Sequence, residues 1–330
     1  MVSFRNLIWV AVRVRIRKYN ITDDNFIFIL NSGFKTMMPS INKRIYSGML
    51  LAGVLGLAIV KAPIFLICAI LLIIVAIAML EFYAIIRQTG IPVYKYLGIT
   101  GGISLIGISF CVYTFNNGAN AAEIEMFILL VCILAVFIRQ FLQHLNGQPV
   151  NTIACTILGI LYIPFLFNFF TKLGLTWDKT DFFHGAGLSG RLLCFYLIAV
   201  VKGADIGAFL AGSRFGKHKL FPRLSPAKTW EGFFGGLLFG LAVSFLLFMA
   251  CHGHFGHKLM TVFDALILGI LLPVLGLAGD LIASLLKRAG GTKDTGTIIP
   301  GMGGLLDVLD SLLMAVPFFY FYVLWFLPTI

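Results

Sequence analysis

The sequence predicts an all-α integral membrane protein, a polytopic bundle of about nine transmembrane helices. Three observations predict it. Of the 330 residues, 59% are hydrophobic and only 12% charged, where a soluble domain carries about 25% charged residues. Apolar runs of the length needed to cross a bilayer, about 20 residues, recur along the chain. The excess of basic residues, which gives a net charge of +11, gathers in alternate loops, as it does in membrane proteins that keep Lys and Arg on the cytosolic side.

Residues 1–44 stand apart. Arg13, Arg15 and Arg17 alternate with Val12, Val14 and Ile16, a period of two and too short to span. No long apolar core of a signal peptide is present. Met37 and Met38 precede Pro39, Ser40, Ile41, Asn42, Lys43 and Arg44. The segment reads as a cytosolic tail, disordered or lying upstream of the true start, ahead of one membrane domain over residues 45–330.

The expected spans cover 45–61, 62–86, 97–115, 124–141, 151–171, 190–212, 229–251, 260–284 and 305–327. The first two are separated only by Lys61, Ala62 and Pro63, which suggests a tight helical hairpin. With an odd number of spans and a cytosolic N-terminus, the loops after spans two, four, six and eight are cytosolic. They carry Arg87 and Lys95; Arg139; Arg214, Lys217, Lys219, Arg223 and Lys228; and Lys287, Arg288 and Lys293. The opposite loops carry Lys61, Lys172, Lys179 and Lys258. The asymmetry places the N-terminus inside and the C-terminus outside; a bacterial inner membrane is the expected location.

Composition also removes function classes. The basic balance comes without zinc-finger spacing or an RNA-binding aromatic signature, so nucleic acid is not an expected partner. The positive charge suits anionic lipid or nucleotide phosphate instead. Cys68, Cys111, Cys132, Cys155, Cys194 and Cys251 include no Cys-x-x-Cys pair and lie in or beside apolar runs, as free thiols acting as small hydrophobes do. His184, His218, His252, His254 and His257 form no recognised zinc spacing. No internal repeat is evident, which disfavours an inverted-repeat transporter.

One stretch, 279–311, carries chemistry. Asp280, Ser284 and Lys287 are spaced i, i+4, i+7 and share a helix face. Asp307 and Asp310, at i, i+3, share another on a helix beginning near Gly304. Between them lies a glycine-rich loop, from Gly290 and Gly291 to Gly303 and Gly304, with Lys293 and Asp294. Placing acids in or near a bilayer costs a few kcal/mol each, so such a group needs partners; Mg²⁺, Lys and Arg are the obvious ones. Carboxylates bind Mg²⁺, Lys287, Arg288 and Lys293 can neutralise phosphates, and glycines let backbone N–H groups approach phosphate oxygens. This inventory suits phosphoryl transfer, in which positioning and charge stabilisation supply most of the catalysis. Ion pairing that only locks helices together would account for Lys202 with Asp205, but poorly for a glycine-rich loop between two acidic helix faces.

The stretch resembles the phosphatidate cytidylyltransferase (CDP-diacylglycerol synthase) family. That pattern runs Ser-x-x-Lys-Arg, four residues, Lys-Asp, then Pro-x-His-Gly-Gly and Asp-Arg-x-Asp. Ser284, Lys287, Arg288, Lys293, Asp294, Pro300, Gly303, Gly304, Asp307 and Asp310 match at the same spacing. Met302 stands for the usual His and Val308 for the usual Arg, so the roles of that imidazole and guanidinium are not carried over. A second block, from Asp205 to Leu220 and then Leu224 to Gly232, resembles the family's cytosolic segment. There Ser225 reads as an N-cap with Pro226 at N1 of span seven, and Lys228 beside that helix start as an anion site. Glu81, followed by Phe82 and Tyr83, is also similar. The resemblance covers roughly residues 200–330; residues 45–200 match mainly in hydropathy.

The resemblance implies transfer of CMP from CTP to phosphatidate for phospholipid biosynthesis, with Mg²⁺ as cofactor. It implies Asp280 and Asp307 as metal ligands, and Lys287, Arg288, Lys293, Asp294 and Asp310 as catalytic. Asp205, Ser225, Lys228, Thr229, Ser284, Gly303 and Gly304 then bind substrate. CTP, phosphatidate and the bilayer are the expected partners, with a homodimer as a possible assembly. Two alternatives remain: a related CTP-dependent kinase or cytidylyltransferase acting on another lipid, and a non-enzymatic transporter or binding relative.

Overall fold

The computed structural model describes residues 63–116, 118–143, 146–177, 188–292, 295–296 and 303–329. Within them lie eight helices long and apolar enough to cross a membrane. α1 is Ile64–Gln88, α2 Lys95–Phe115 and α3 Ala121–Phe141. The fourth span is continuous but has three parts: α4 (Pro149–Ile160), a π-helical turn (Leu161–Phe165) and α5 (Leu166–Leu175). Then follow α6 (Leu188–Phe215), α7 (Trp230–Ala250), α8 (Val262–Ala289) and α9 (Leu306–Trp325). Spans two to nine of the sequence reading are these eight. The span expected at 45–61, its hairpin with the next, and the tail at 1–44 lie outside the described residues.

Each helix follows from its sequence. α1 is apolar on every face until Glu81 and ends in a turn over Thr89 and Gly90, which sits at φ +81°. Pro149 at the first turn of α4 needs no N–H partner there. Pro164 cannot donate within a helix, and the π turn absorbs it. Thr261 and Asp264 cap α8 reciprocally.

Of the three apolar cores among the described residues, the two larger are joined by α9. Leu306, Leu309 and Leu313 join Phe82, Tyr83, Leu105, Ile160 and Tyr162 in the first. Leu312, Val316, Phe319 and Val323 join Tyr196, Leu197, Val201, Leu268 and Leu272 in the second. α9 is thus the central helix, lined by α1, α5, α6 and α8. α6 and α7 cross at small residues; a Cβ on Gly207 or Gly235 would fall 2.3 Å from Phe239 Cβ or 2.2 Å from Ala211 Cβ. Such crossings suit a bilayer, where close backbone packing replaces hydrophobic association. Large apolar side chains such as Phe234, Leu238, Leu246 and Met249 on α7 point outward, toward acyl chains.

Several polar groups inside the bundle are paired. Away from the acidic stretch, buried Glu125 forms an ion pair with Lys172 and accepts hydrogen bonds from Ser109 Oγ and Asn168 Nδ2, both at 2.9 Å. A buried charge this well satisfied is tolerable; either partner alone would not be. The six cysteines are free.

The loop between α6 and α7 departs from the sequence reading. Ser225 does not cap α7. Residues Ser225–Thr229 form a short strand, β2, antiparallel to β1 (Lys219–Phe221). The cap is Thr229, extended at φ −126°, ψ 156°, whose hydroxyl accepts from Gly232 N. Ser225 and Pro226 make a good helix start locally, but pairing with Lys219–Phe221 keeps them extended, and proline is permitted at a sheet edge. A second hairpin, β3 (His254–Phe255) with β4 (Lys258–Leu259), closes the α7–α8 connection. There Lys258 Nζ donates to Leu327 O at 2.9 Å and lies over the Trp177 ring; burial pushes its ammonium pKa down.

Candidate active site

The connectivity puts the ends of α1, α3, α6 and α8 and the starts of α2, α4, α7 and α9 on one side. The acidic stretch folds on that side into two adjoining polar clusters.

The first is built from α6, β2, α8 and α9. Gly279 lets α9 lie directly against α8: a Cβ there would sit 2.2 Å from Asp310 O. This closeness sets the Asp280 and Asp310 carboxylates beside each other. Asp310 is buried and its Oδ1 also accepts from Ser311 N at 2.6 Å. Lys228 Nζ lies 2.6 Å from Asp280 Oδ2, an ion pair whose angles are not those of a hydrogen bond. From α6, Lys202 Nζ donates to Ser311 Oγ at 2.6 Å and pairs with Asp205 Oδ2 at 3.2 Å. Ser311 Oγ in turn donates to Asp205 at 3.2 Å. The cluster is open on one side, with the Asp205 and Asp280 side chains 43% and 37% exposed.

The second cluster gathers Thr295, Gly304 and the start of α9. Asp307 Oδ1 accepts from Lys287 Nζ at 2.7 Å. Its Oδ2 accepts from Thr295 N and Thr295 Oγ1, both at 2.9 Å, and from Gly304 N at 3.0 Å. Four donors use the roughly four acceptor sites of a carboxylate. Glu81, buried in α1, reaches across to the start of α9: Oε1 accepts from Leu305 N at 2.9 Å, and Oε2 from Leu306 N at 2.8 Å and Thr295 Oγ1 at 3.1 Å. No side chain at the N-cap of α9 does this, so Glu81 is the cap, supplied from another helix. Gly304 must be glycine, because a Cβ would fall 2.0 Å from Thr295 Oγ1 and 2.5 Å from Glu81 Oε2. Gly303, at φ +97°, takes a backbone conformation that side chains resist.

The model of the cytidylyltransferase family matches residues 42–326. The chain belongs to this family. It is 33% identical over 213 residues to a phosphatidate cytidylyltransferase of Haemophilus influenzae, covering 56% of this chain and 72% of that one. It is 29% identical over 290 residues to the enzyme of the same name in Bacillus subtilis, covering 86% and 98%. To the uncharacterised Escherichia coli protein YnbB it is 31% identical over 247 residues, 74% of each chain.

The residues expected at this cytidylyltransferase site are distributed as follows. Asp205, Lys228, Asp280 and Asp310 come together in the first cluster. Lys287, Gly303, Gly304 and Asp307 come together in the second. Ser284 lies half-buried on α8 between them. Arg288 is exposed, its Nη1 3.5 Å from Thr292 O. Thr229 spends its hydroxyl on the α7 cap, and half-buried Ser225 lies in β2. Lys293, Asp294, Pro300 and Met302 lie outside the described residues. Sequence reasoning underrated Glu81 and gave Lys202 only a pairing with Asp205; the signal for both was an ionisable residue inside an apolar span.

The donor set fits Mg²⁺. This ion is commonly held by one or two carboxylates together with substrate phosphates and water, not by an all-protein cage. Two neighbouring carboxylates need a shared proton or a cation between them. Asp280 and Asp310 are such a pair, open on the Asp280 side. Among the described residues no group of three or more His, Cys, Asp and Glu could hold a metal.

Proposed function

We propose that the protein transfers CMP from CTP to phosphatidate, giving CDP-diacylglycerol and pyrophosphate, at the Asp280–Asp310 pair. The observation that carries this reading is the pair of neighbouring carboxylates flanked by Lys228 and Lys202, beside Thr295, which both Glu81 and Asp307 bind. The names of the Haemophilus and Bacillus relatives supply the lipid substrate.

Asp280 and Asp310 would hold Mg²⁺, which when bound neutralises polyphosphate charge and polarises the α-phosphate. Lys228 and Lys202 would then be released from their carboxylates to phosphate oxygens. A phosphate oxygen of phosphatidate forms the new bond to the α-phosphorus of CTP. The bond from that phosphorus to the β-phosphate's bridging oxygen breaks, and pyrophosphate leaves with the electron pair. The attacking phosphate is already an anion, so no residue need take a proton from it. Lys287, committed to Asp307, and Asp307 itself would act by holding Thr295 and Gly304; Arg288, at the end of α8, would meet the nucleotide's phosphates, the role the resemblance also implies for Lys293 and Asp294.

The test is product analysis with purified protein in lipid nanodiscs, radiolabelled CTP, Mg²⁺ and phosphatidate. CDP-lipid and pyrophosphate are expected in equal amounts. Release of CDP with phosphorylation of the lipid would identify a kinase and overturn the reading.

The same reading places the polar clusters, and the N-terminus, on the cytosolic side of a bacterial inner membrane, where CTP is available. A cysteine at Lys219 should then react with impermeant maleimide only from the cytosolic side, and one at Ala119 only from the other. Inverse labelling would move the site away from CTP.

A further inference from the structure

Lys202 stands in the middle of α6 (Leu188–Phe215), where an ionisable side chain is expensive and usually functional. Its ammonium is caught in a triangle. Nζ donates to Ser311 Oγ at 2.6 Å and to Asp205 Oδ2 at 3.2 Å, and Ser311 Oγ donates to the same Asp205 oxygen at 3.2 Å. Ser311 is buried, and with its proton committed to Asp205 its oxygen is left to accept from Lys202. Two of the three N–H groups of the ammonium are thereby used. The third has no partner among the described residues, and the side chains of Lys202 and Asp205 are both open to solvent in part. A pair that served only to lock helices would be closed; this one keeps an N–H unspent beside an opening.

Lys228 reaches the cluster from a different level. Thr229, next to it in the chain, packs against the end of α6: a Cβ on Gly212 or Gly216 would fall 3.2 or 2.9 Å from its hydroxyl oxygen. Gly212 lies almost three turns, about 15 Å, beyond Lys202 along α6. Lys228 thus comes from the α6–α7 connection to Asp280, while Lys202 meets Ser311 from well inside the membrane span.

We propose that Lys202, steadied by Ser311, is the subsite for the phosphate of the lipid substrate, and Lys228 the subsite for the phosphates of the nucleotide. This rests on the reading of the neighbouring acids as the place of transfer. A diacyl lipid carries its phosphate on a body that stays in the bilayer, so it reaches the cluster at the level of the span; a nucleotide arrives from the loop side. When the ammonium turns from Asp205 to a phosphate oxygen, the Ser311 hydrogen bond stays and fixes where the charge stands. Asp205 keeps the proton donated by Ser311 and is not left bare. Ser311 touches no substrate and is a positioning residue.

The test varies the two substrates independently, phosphatidate as its mole fraction in mixed micelles and CTP in solution. Lys202→Met removes the charge and nearly keeps the length of the side chain. Its KM for phosphatidate should rise at least about tenfold, as the loss of one charge-assisted hydrogen bond implies, with the KM for CTP within about twofold of wild type. Lys228→Met should give the converse. Ser311→Ala leaves both charges in place and should raise the KM for phosphatidate about threefold or more without moving that for CTP. It carries the test by the same split should Lys202→Met fail to fold. Two KM values that move together in Lys202→Met, a rise in the KM for CTP alone, or no change in either overturns the assignment. So does a lowered melting temperature with no separation of the substrates, which marks a structural role. If the wild-type protein makes no CDP-lipid, the reading of the acids as the place of transfer fails; if it makes CDP-lipid and the split is missing, only the assignment of Lys202 fails.

Discussion

Asp310→Asn should insert and fold normally while turnover per folded molecule falls at least about a hundredfold, a loss of about 2.7 kcal/mol of transition-state stabilisation. The substitution keeps the side chain's volume and removes its charge. It also replaces one of two neighbouring acids with a neutral amide, so the melting temperature should hold or rise. Stability and activity therefore move apart, which a packing role for Asp310 would not produce. Asp307→Asn is the informative partner. Asp307 is tied to Lys287, to Thr295 and to the Gly304 amide, so its loss leaves a partly buried ammonium without its counter-charge. Activity and melting temperature should then fall together. Reading both variants by pyrophosphate release and thermal unfolding decides which acid serves the ion. If Asp310→Asn stays active and melts early while Asp307→Asn is inert and stable, Asp307 and Asp280 form the cation site, as the family resemblance implies.

Glu81→Gln should be strongly destabilising. The carboxylate accepts three hydrogen bonds, two of them from the amides that begin α9. An amide side chain can serve one side of this arrangement, and it turns an NH₂ toward a donor on the other. Losing charge-assisted hydrogen bonds in a buried place costs about 2–4 kcal/mol. A lower melting temperature should be accompanied by greater proteolysis within residues 290–305, because Thr295, Leu305 and Leu306 lose their anchor on α1. A Glu81→Gln protein as stable and protease-resistant as wild type would mean that the loop holds itself.

The spans were legible because their signal is strong and local. A run such as 64–86 is apolar at nearly every position, and length alone then identifies a crossing helix. The α6–α7 connection was not legible in the same way. Residues 219–229 have no alternating pattern, and Ser225 with Pro226 imitates a helix start; only pairing with Lys219–Phe221 decides for a strand. The site divides along the same line. Acids and lysines inside apolar helices announce themselves, and so Asp205, Asp280, Asp307 and Asp310 could be named from sequence. Their partners could not. Asp307 and Asp310 lie one helical turn apart on nearly one face, yet α9 enters between α1 and α8, so that one acid meets the loop and the other meets Asp280. Glu81 meets Leu306 across 225 positions of chain, a separation at which sequence spacing carries no information.

The crossing of α8 and α9 at Gly279 has a mechanical consequence. The helices touch main chain to main chain beside the acid pair, so the contact acts as a pivot placed at the point of work. If the helices rock about it, their far ends travel several ångströms, as such motion requires along a helix rising about 1.5 Å per residue. The carboxylates beside the pivot hardly move. A methyl group at position 279 would prise the two helices apart and with them Asp280 and Asp310.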